Sequence, residues 1–154
     1  MTLRFKAVAL LSLLMASLTV IPCARADGLD LSAYKGKVVY LDFWASWCTP
    51  CRLSFPWMSQ LQARYGRDGL VVIGVNVDHD RALADEFLSA NRGNFQIVYD
   101  PHGALAGKYD FKDMPTSFLI GRDGKVRSVH PGFFPNREEN YAADVKALLD
   151  EKAP

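Results

Sequence analysis

The stretch that decides the fold runs from Val38 to Cys51 and reads Val-Val-Tyr-Leu-Asp-Phe-Trp-Ala-Ser-Trp-Cys-Thr-Pro-Cys. Its first half is an apolar run of β-favouring residues, long enough for a strand that is buried on both faces. It ends in two cysteines, Cys48 and Cys51, that are separated by two residues. Residues 49–65 contain no glycine and predict a helix. The cysteine pair therefore lies where a strand passes into the N-terminus of a helix.

The N-terminus of a helix stabilises an anion. Four backbone N–H groups there have no partner within the helix, and the positive end of the helix dipole lies at the same place. A cysteine thiolate is such an anion, and in this position the pKa of a cysteine falls from roughly 8.5 to between about 3.5 and 7.5. We therefore expect the sulfur of Cys48 to be ionised near neutral pH.

The first 26 residues have the pattern of an export signal. A basic start precedes an apolar run over residues 7–21, and Ala24-Arg25-Ala26 supplies the small residues that a signal peptidase reads. The apolar run is shorter than the roughly 20 residues that a membrane span requires. We expect residues 1–26 to be a cleaved secretory signal, with an uncleaved N-terminal anchor as the alternative, and residues 27–154 to form one domain.

The net charge and the number of cysteines limit the functions that the chain can have. Removal of residues 1–26 leaves 15 basic and 17 acidic side chains, a formal charge of −2, which does not attract nucleic acid. Cys23 leaves with the signal, so Cys48 and Cys51 are the two cysteines of the exported chain. A structural disulfide gains stability by closing a long loop, and these two close almost none. The pair is therefore expected to serve chemistry and not stability.

Hydrophobic patterns predict the elements that follow. Residues 70–77 form a second uniformly apolar strand and residues 81–91 an amphipathic helix, so the two strands are expected to be parallel. The remaining predictions are an extended piece at 95–99, a brief helix at 104–109, an antiparallel pair of strands at 116–120 and 126–130, and a final helix at 136–152. The residues predicted to face inward are Leu53, Trp57, Leu61 and Tyr65 in the first helix and Leu83, Phe87 and Leu88 in the second.

These motifs resemble those of a known superfamily. Asp42-Phe43-Trp44-Ala45-Ser46-Trp47-Cys48-Thr49-Pro50-Cys51 is similar to the active-site segment of the thioredoxin superfamily, and Met114-Pro115-Thr116 resembles its second hallmark, a cis-proline that opens a strand. Gly74-Val75-Asn76-Val77-Asp78 and Tyr99-Asp100-Pro101-His102-Gly103 are similar to the exported TlpA-like and ResA-like thiol-disulfide reductases. The resemblance covers about residues 36–150. It implies an α/β, thioredoxin-like fold for residues 27–154, with a central mixed β-sheet flanked by helices on both faces.

Two positions depart from the TlpA-like and ResA-like pattern. Asp42 stands where many TlpA-like chains have asparagine, and Ser54 stands where many ResA-like chains have glutamate. With an aspartate at position 42, the site is more similar to thioredoxin, whose buried aspartate lies six residues before the first cysteine.

The resemblance implies a role for each cysteine. Cys48 attacks a substrate disulfide, and Cys51 resolves the mixed disulfide, so that the two cysteines end in a disulfide with each other. The alternative is half of a zinc site, which requires two further ligands. The available histidines each stand alone in a different segment: His79, His102 and His130.

Asp42 and Pro115 are the other catalytic candidates. Burial of Asp42 on an apolar strand would raise its pKa, and it could then accept the proton of Cys51 through a water molecule. The alternative is a strand-end aspartate that points to solvent. Pro115 in the cis form would place the backbone of Met114 against the cysteines to bind a substrate chain, whereas a trans proline is the ordinary alternative.

The remaining site residues are expected to contact the substrate. Trp47, Met114 and the Gly132-Phe133 loop would form an apolar rim that holds unfolded polypeptide, and the alternative for Trp47 is a position in the core. Thr49 and Pro50 lie between the cysteines, and in this superfamily the two residues at these positions set the reduction potential of the cysteine pair.

The sequence thus indicates a periplasmic thiol-disulfide oxidoreductase, most similar to reductases of disulfides in exported proteins, including the haem-binding cysteines of apocytochrome c. Such a reductase needs a membrane protein that passes electrons to it. We expect no cofactor, no metal and a monomer. The alternatives are a disulfide-forming oxidase or isomerase of the same fold, and a metal- or client-binding module whose cysteines are not catalytic.

Overall fold

A computed structural model describes residues 29–152, so the predicted secretory signal lies outside the described residues. In chain order the strands and helices are β1 (Val38–Trp44), α1 (Thr49–Tyr65), β2 (Leu70–Asn76), α2 (Arg81–Ala90), β3 (Gln96–Tyr99), α3 (Ala106–Tyr109), β4 (Thr116–Ile120), β5 (Val126–Pro131) and α4 (Glu138–Asp150). Every predicted strand and helix is present, with ends within two residues of those expected. Among the described residues, no helix is both long and apolar enough to cross a membrane.

The five strands form one mixed sheet in the order β3-β2-β1-β4-β5. β1 is central, and it pairs in parallel with β2 and antiparallel with β4. β3 is parallel to β2, and β5 is antiparallel to β4. All seven residues of β1 are buried, as expected for a largely apolar strand that is covered on both faces. The predicted parallel pair and the predicted hairpin are confirmed.

Alternate residues of β1 point to opposite faces of the sheet, and each face has its own apolar core. Tyr40 and Trp44 belong to the core that also contains residues of α1, α2 and α4. Leu41 and Phe43 belong to the other core, which α3 and a 3₁₀ turn at Leu31–Tyr34 help to cover. Helices therefore lie on both faces, but the three long helices share the face that carries the cysteines.

Two leucines that were predicted to face the core are exposed. Leu53 is 53% exposed and Leu83 is 47% exposed. Residues four apart drift around a helix of about 3.6 residues per turn, so Leu53 leaves the face that buries Trp57. In α2 the buried face consists of Ala84 and Phe87. Leu83 is rotated by about 100° from Ala84 and therefore points away from the core.

Candidate active site

Cys48 and Cys51 form a disulfide at the start of α1, with 2.05 Å between their Sγ atoms. Cys48 is the N-cap residue of the helix, and its Sγ accepts a hydrogen bond from the backbone N–H of Cys51 at 3.3 Å. A backbone donor that the first helical turn leaves without a partner is thus directed at this sulfur. Cys51 is fully buried, whereas Cys48 keeps 4% of its surface exposed. Cys48 is therefore the more accessible of the two cysteines.

Thr49 and Pro50 occupy the first two positions of α1. Thr49 is exposed, and Pro50 is half-buried. A proline is well tolerated here because the N–H that it lacks would have no helical partner. Because Pro50 has no backbone N–H, the first backbone donor after Thr49 is the N–H of Cys51, which bonds to Sγ of Cys48.

Asp78, which follows β2, holds the segment between β1 and α1. Its Oδ2 accepts hydrogen bonds from the backbone N–H of Ser46 at 2.9 Å and from Nδ2 of Asn76 at 2.7 Å. Its Oδ1 accepts a third from Oγ of Ser46 at 3.0 Å. Because β1 and β2 are parallel, their carboxyl ends lie at the same edge of the sheet, which brings these distant residues together. The network orders the loop that carries Trp47 and Cys48.

Replacing Asp78 with alanine is expected to lower the free energy of unfolding by about 3 kcal/mol, because the donors of Ser46 and Asn76 lose their buried acceptor. Asp80→Ala is the matched control: Asp80 caps α2 through the N–H of Ala82 at an exposed site, and its loss should cost about 1 kcal/mol. Urea unfolding of the oxidised proteins measures both values. A loss for Asp78→Ala no greater than that for Asp80→Ala would contradict the stabilising role of the network.

Asp42 lies on the face of β1 that α1 covers, because it is two residues from Tyr40 and from Trp44, and residues two apart on a strand share a face. It is 1% exposed, so the alternative of an aspartate that points to solvent is wrong. Its Oδ1 accepts a hydrogen bond from Oγ of Ser117 at 2.6 Å, and its Oδ2 has no partner among the described residues. Burial raises the pKa of Asp42 to about 7, and the hydrogen bond from Ser117 opposes that rise. This carboxyl group can therefore exchange a proton near neutral pH.

The Met114–Pro115 peptide bond is cis and directly precedes β4. The next residue, Thr116, pairs with Phe43 near the carboxyl end of β1. Met114 and Pro115 therefore lie at the edge of the sheet from which the cysteine loop leaves. The carbonyl oxygen of Pro115 accepts a hydrogen bond from the N–H of Gly132 at 2.7 Å, which anchors the proline within the fold. Binding of a substrate chain by the backbone of Met114 stays a prediction.

The predicted apolar rim is present only in part. Trp47 is 68% exposed, so the alternative of a core position for it is wrong. Phe133 was expected in the rim but is 6% exposed and packs against Tyr141 of α4. The chain turns at Gly132, whose φ is 72°, and Phe133 is directed toward α4. Its neighbour Phe134 is the exposed aromatic residue of this loop.

Sequence reasoning missed two hydroxyl groups in contact with the site. Ser117 donates to Asp42, and Oγ of the buried Ser54 donates to the carbonyl oxygen of Cys51 at 3.0 Å. The antiparallel pairing of β1 with β4 places Ser117 directly opposite Asp42. No local pattern specifies that register. Ser54 could be noticed only as a departure from the ResA-like pattern, and that departure does not reveal its hydrogen bond to Cys51.

The sequence matches the Redoxin family over residues 18–145. Thiol-disulfide oxidoreductase ResA from Bacillus subtilis strain 168 is 36% identical over 104 residues, which are 68% of this chain and 58% of that protein. The chain thus matches less than two thirds of the length of this curated relative.

Solved structures share the fold. A chain described as thiol:disulfide interchange protein DsbE from Chlorobium tepidum has a TM-score of 0.77 and 48% identity, over 79% of this chain and 86% of that chain. The exposed lipoprotein thioredoxin from Streptococcus pneumoniae has a TM-score of 0.67 and 33% identity, over 77% of this chain and 90% of that chain. The predicted thioredoxin-like fold is confirmed. With the cysteine pair at a helix N-terminus and a cis-proline at the same sheet edge, the chain belongs to the Redoxin family and is a TlpA-like and ResA-like member of the thioredoxin superfamily.

Proposed function

We propose that the protein is a thiol-disulfide oxidoreductase that reduces disulfides in exported proteins. The observation that carries the proposal is the Cys48–Cys51 disulfide at the N-terminus of α1, in which the more accessible sulfur accepts a backbone hydrogen bond. The names of the relatives support thiol-disulfide chemistry, since one is a thiol-disulfide oxidoreductase, ResA, and the other is described as a thiol:disulfide interchange protein, DsbE. The disulfide is the oxidised end of the proposed cycle.

The cycle begins with the reduced protein, in which the first turn of α1 stabilises the thiolate of Cys48. This thiolate attacks one sulfur of a substrate disulfide, a mixed disulfide forms, and the other substrate sulfur leaves as a thiolate. Cys51 gives its proton to Asp42 through a water molecule and attacks Sγ of Cys48. The Cys48–Cys51 bond forms as the second substrate sulfur leaves. Two electrons have then passed from the protein to the substrate.

The surface beside the cysteines suits unfolded polypeptide. Trp47 exposes most of its indole, and a cavity of about 360 Å³ next to it is lined in part by Arg52, Leu83 and Phe87. The exposed side chains of Trp47 and Leu83 can cover apolar side chains of a client, while Arg52, Glu86 and Asn91 give the rest of the cavity a polar lining that can bind the client backbone. The exposure of Leu83, which the helical pattern did not predict, supports this use.

The finer parts of the proposal concern location and partners. Residues 1–26 would export the chain to the periplasm, with apocytochrome c as a client. Because an exported compartment is oxidising, the protein must be reduced again after each cycle. A membrane protein that transfers electrons outward would do this.

Equilibration with glutathione tests the direction of electron flow. We expect a reduction potential for the Cys48–Cys51 pair below about −180 mV, closer to the value of thioredoxin, about −270 mV, than to that of DsbA, about −120 mV. Purified protein is incubated at fixed ratios of reduced to oxidised glutathione, and the free thiols are counted by alkylation and mass spectrometry. A potential well above about −180 mV would contradict the reductase and favour the oxidase.

A further inference from the structure

A row of polar side chains crosses the sheet from Asp42 to the surface of α4. Asp42 of β1 pairs with Ser117 of β4, and Ser117 pairs with His130 of β5. Directly opposite residues on antiparallel strands point to the same face, with Cβ atoms about 5 Å apart. Nε2 of His130 lies 3.0 Å from Oδ2 of Asp144 on α4. The row thus begins at a buried carboxyl group and ends at one whose side chain is 52% exposed.

Two tyrosines adjoin this row. Tyr40 lies two residues before Asp42 on the same face of β1. Burial and the charge of Asp42 raise the pKa of Tyr40 well above its ordinary value. The Tyr40 hydroxyl therefore keeps its proton and can both donate and accept. Tyr141 of α4 packs on His130, with 4.8 Å between the ring centroids.

Three buried polar atoms of these residues have no hydrogen-bond partner in the described part of the chain: Oδ2 of Asp42, Nδ1 of His130 and the hydroxyl of Tyr141. Within residues 29–152, only five buried side-chain N or O atoms are in this condition. Buried polar groups are as a rule hydrogen-bonded, so a cluster of exceptions requires an explanation. An apolar row would avoid the cost of leaving such groups unpaired. Side chains that must accept a proton and then donate it need this unused capacity.

We propose that Ser117 and His130 conduct protons between Asp42 and solvent at Asp144. The inference rests on the proposed function, in which Asp42 accepts the proton of Cys51. Asp42 is almost fully buried, so it cannot return that proton to water directly. The Ser117 hydroxyl takes the proton of Asp42 and releases its own to Nδ1 of His130, which has no other partner among the described residues, and Nε2 of His130 delivers its proton to Asp144 and the surrounding water. Re-reduction reverses the order, and no electron moves along the row.

His130 is the residue to test, because it does not contact Asp42. Burial and Ser117 account for the pKa of Asp42, so substitutions at His130 should leave that pKa unchanged. His130→Gln can keep a hydrogen bond to Asp144 but cannot take up a proton at neutral pH. His130→Phe keeps the ring that packs on Tyr141. Because Gln preserves the hydrogen bond and Phe preserves the ring packing, one variant can remain folded where the other does not, and the folded variant carries the test.

The experiment separates the two chemical steps. The reduced full-length protein is mixed with an excess of an aromatic disulfide whose released thiolate absorbs visible light. The first phase reports attack by Cys48, and the second phase reports resolution by Cys51. At about pH 6, Asp42, whose pKa is about 7, is mostly protonated and must release its proton along the row before it can accept that of Cys51. We expect both His130 variants to slow the second phase at least about ten-fold at this pH, with a larger solvent deuterium isotope effect. The first phase should be unchanged.

Val129→Thr is the matched control, because Val129 is the exposed neighbour of His130 on β5, and both phases should keep their wild-type rates. A second phase at the wild-type rate in a folded His130 variant would overturn the proton path and leave the proposed function standing. Equal slowing of both phases would also overturn the proton path. So would a shift of the Asp42 pKa in a His130 variant, measured by NMR titration. Absence of the first phase in the wild-type protein would instead overturn the proposed function.

Discussion

Replacing Cys48 with serine is expected to reduce the rate of disulfide reduction at least about 10³-fold, because a serine hydroxyl stays protonated near neutral pH and cannot form a mixed disulfide. Serine is also a favoured N-cap residue, so α1 should keep its start. The reduction of insulin disulfides in the presence of dithiothreitol measures the rate. A metal- or client-binding module would keep its function after this substitution.

Cys51→Ser is the matched control for Cys48→Ser. Both variants lack the Cys48–Cys51 disulfide, but Cys51→Ser keeps the attacking thiol and should accumulate a mixed disulfide with the substrate. The adduct is visible on a non-reducing gel and is released by dithiothreitol, and mass spectrometry then names the client. If the adduct formed in Cys48→Ser and not in Cys51→Ser, the roles of the two cysteines would be the reverse of those proposed.

Replacing Asp42 with asparagine is expected to raise the free energy of unfolding above about pH 8 by about 4 kcal/mol. The carboxyl group ionises with a pKa near 3.8 in the unfolded chain and about 7 in the folded protein. Between these values the folded state binds more protons than the unfolded state, so the stability of the wild-type protein falls as the pH rises through this window. Asparagine does not ionise, so the free energy of unfolding of the Asp42→Asn protein does not fall in this pH window.

Urea unfolding of the oxidised proteins at about pH 4 and about pH 9 measures the difference, which should be small at the lower pH and largest at the higher. Asp113→Asn, at an exposed position before β4, is the control and should keep the pH dependence of the wild-type protein. A constant difference between Asp42→Asn and wild type at both pH values would contradict the raised pKa. The same substitution removes the proposed proton acceptor of Cys51, so the gain in stability should accompany slower resolution.

The elements around the cysteines were predictable because their signals are local. The largely apolar β1 was predictable as a strand covered on both faces, and the run from Thr49 to Tyr65 contains no glycine, so the helix extends to Gly66 although Pro56 lies inside it. The aromatic strand, the cysteine pair and Pro115 together indicated the candidate site, whereas the cysteine pair alone would have been weak evidence. Asp42 followed from its position within the apolar strand, since neighbours that are buried on both sides leave little solvent for it.

The contacts that were not predicted depend on long-range pairing. Ser117 lies 75 residues from Asp42 in the sequence, and only the register of β4 against β1 brings them together. His130 joins the row through a second register, that of β5 against β4. Phe133 became a core residue because the turn at Gly132 directs it toward α4. Hydrophobicity alone does not distinguish it from the exposed Phe134.

The placement of the three tryptophans gives the protein two separate optical signals. Trp44 and Trp57 are buried in the core, at 0% and 6% exposure, whereas Trp47 is 68% exposed and adjacent to Cys48. Indole emission moves to longer wavelength on contact with water and is quenched by a neighbouring disulfide. Unfolding will therefore shift the emission of Trp44 and Trp57, and opening of the Cys48–Cys51 bond will change the intensity of Trp47. Fluorescence can follow loss of the fold and change of oxidation state in one sample without an added label.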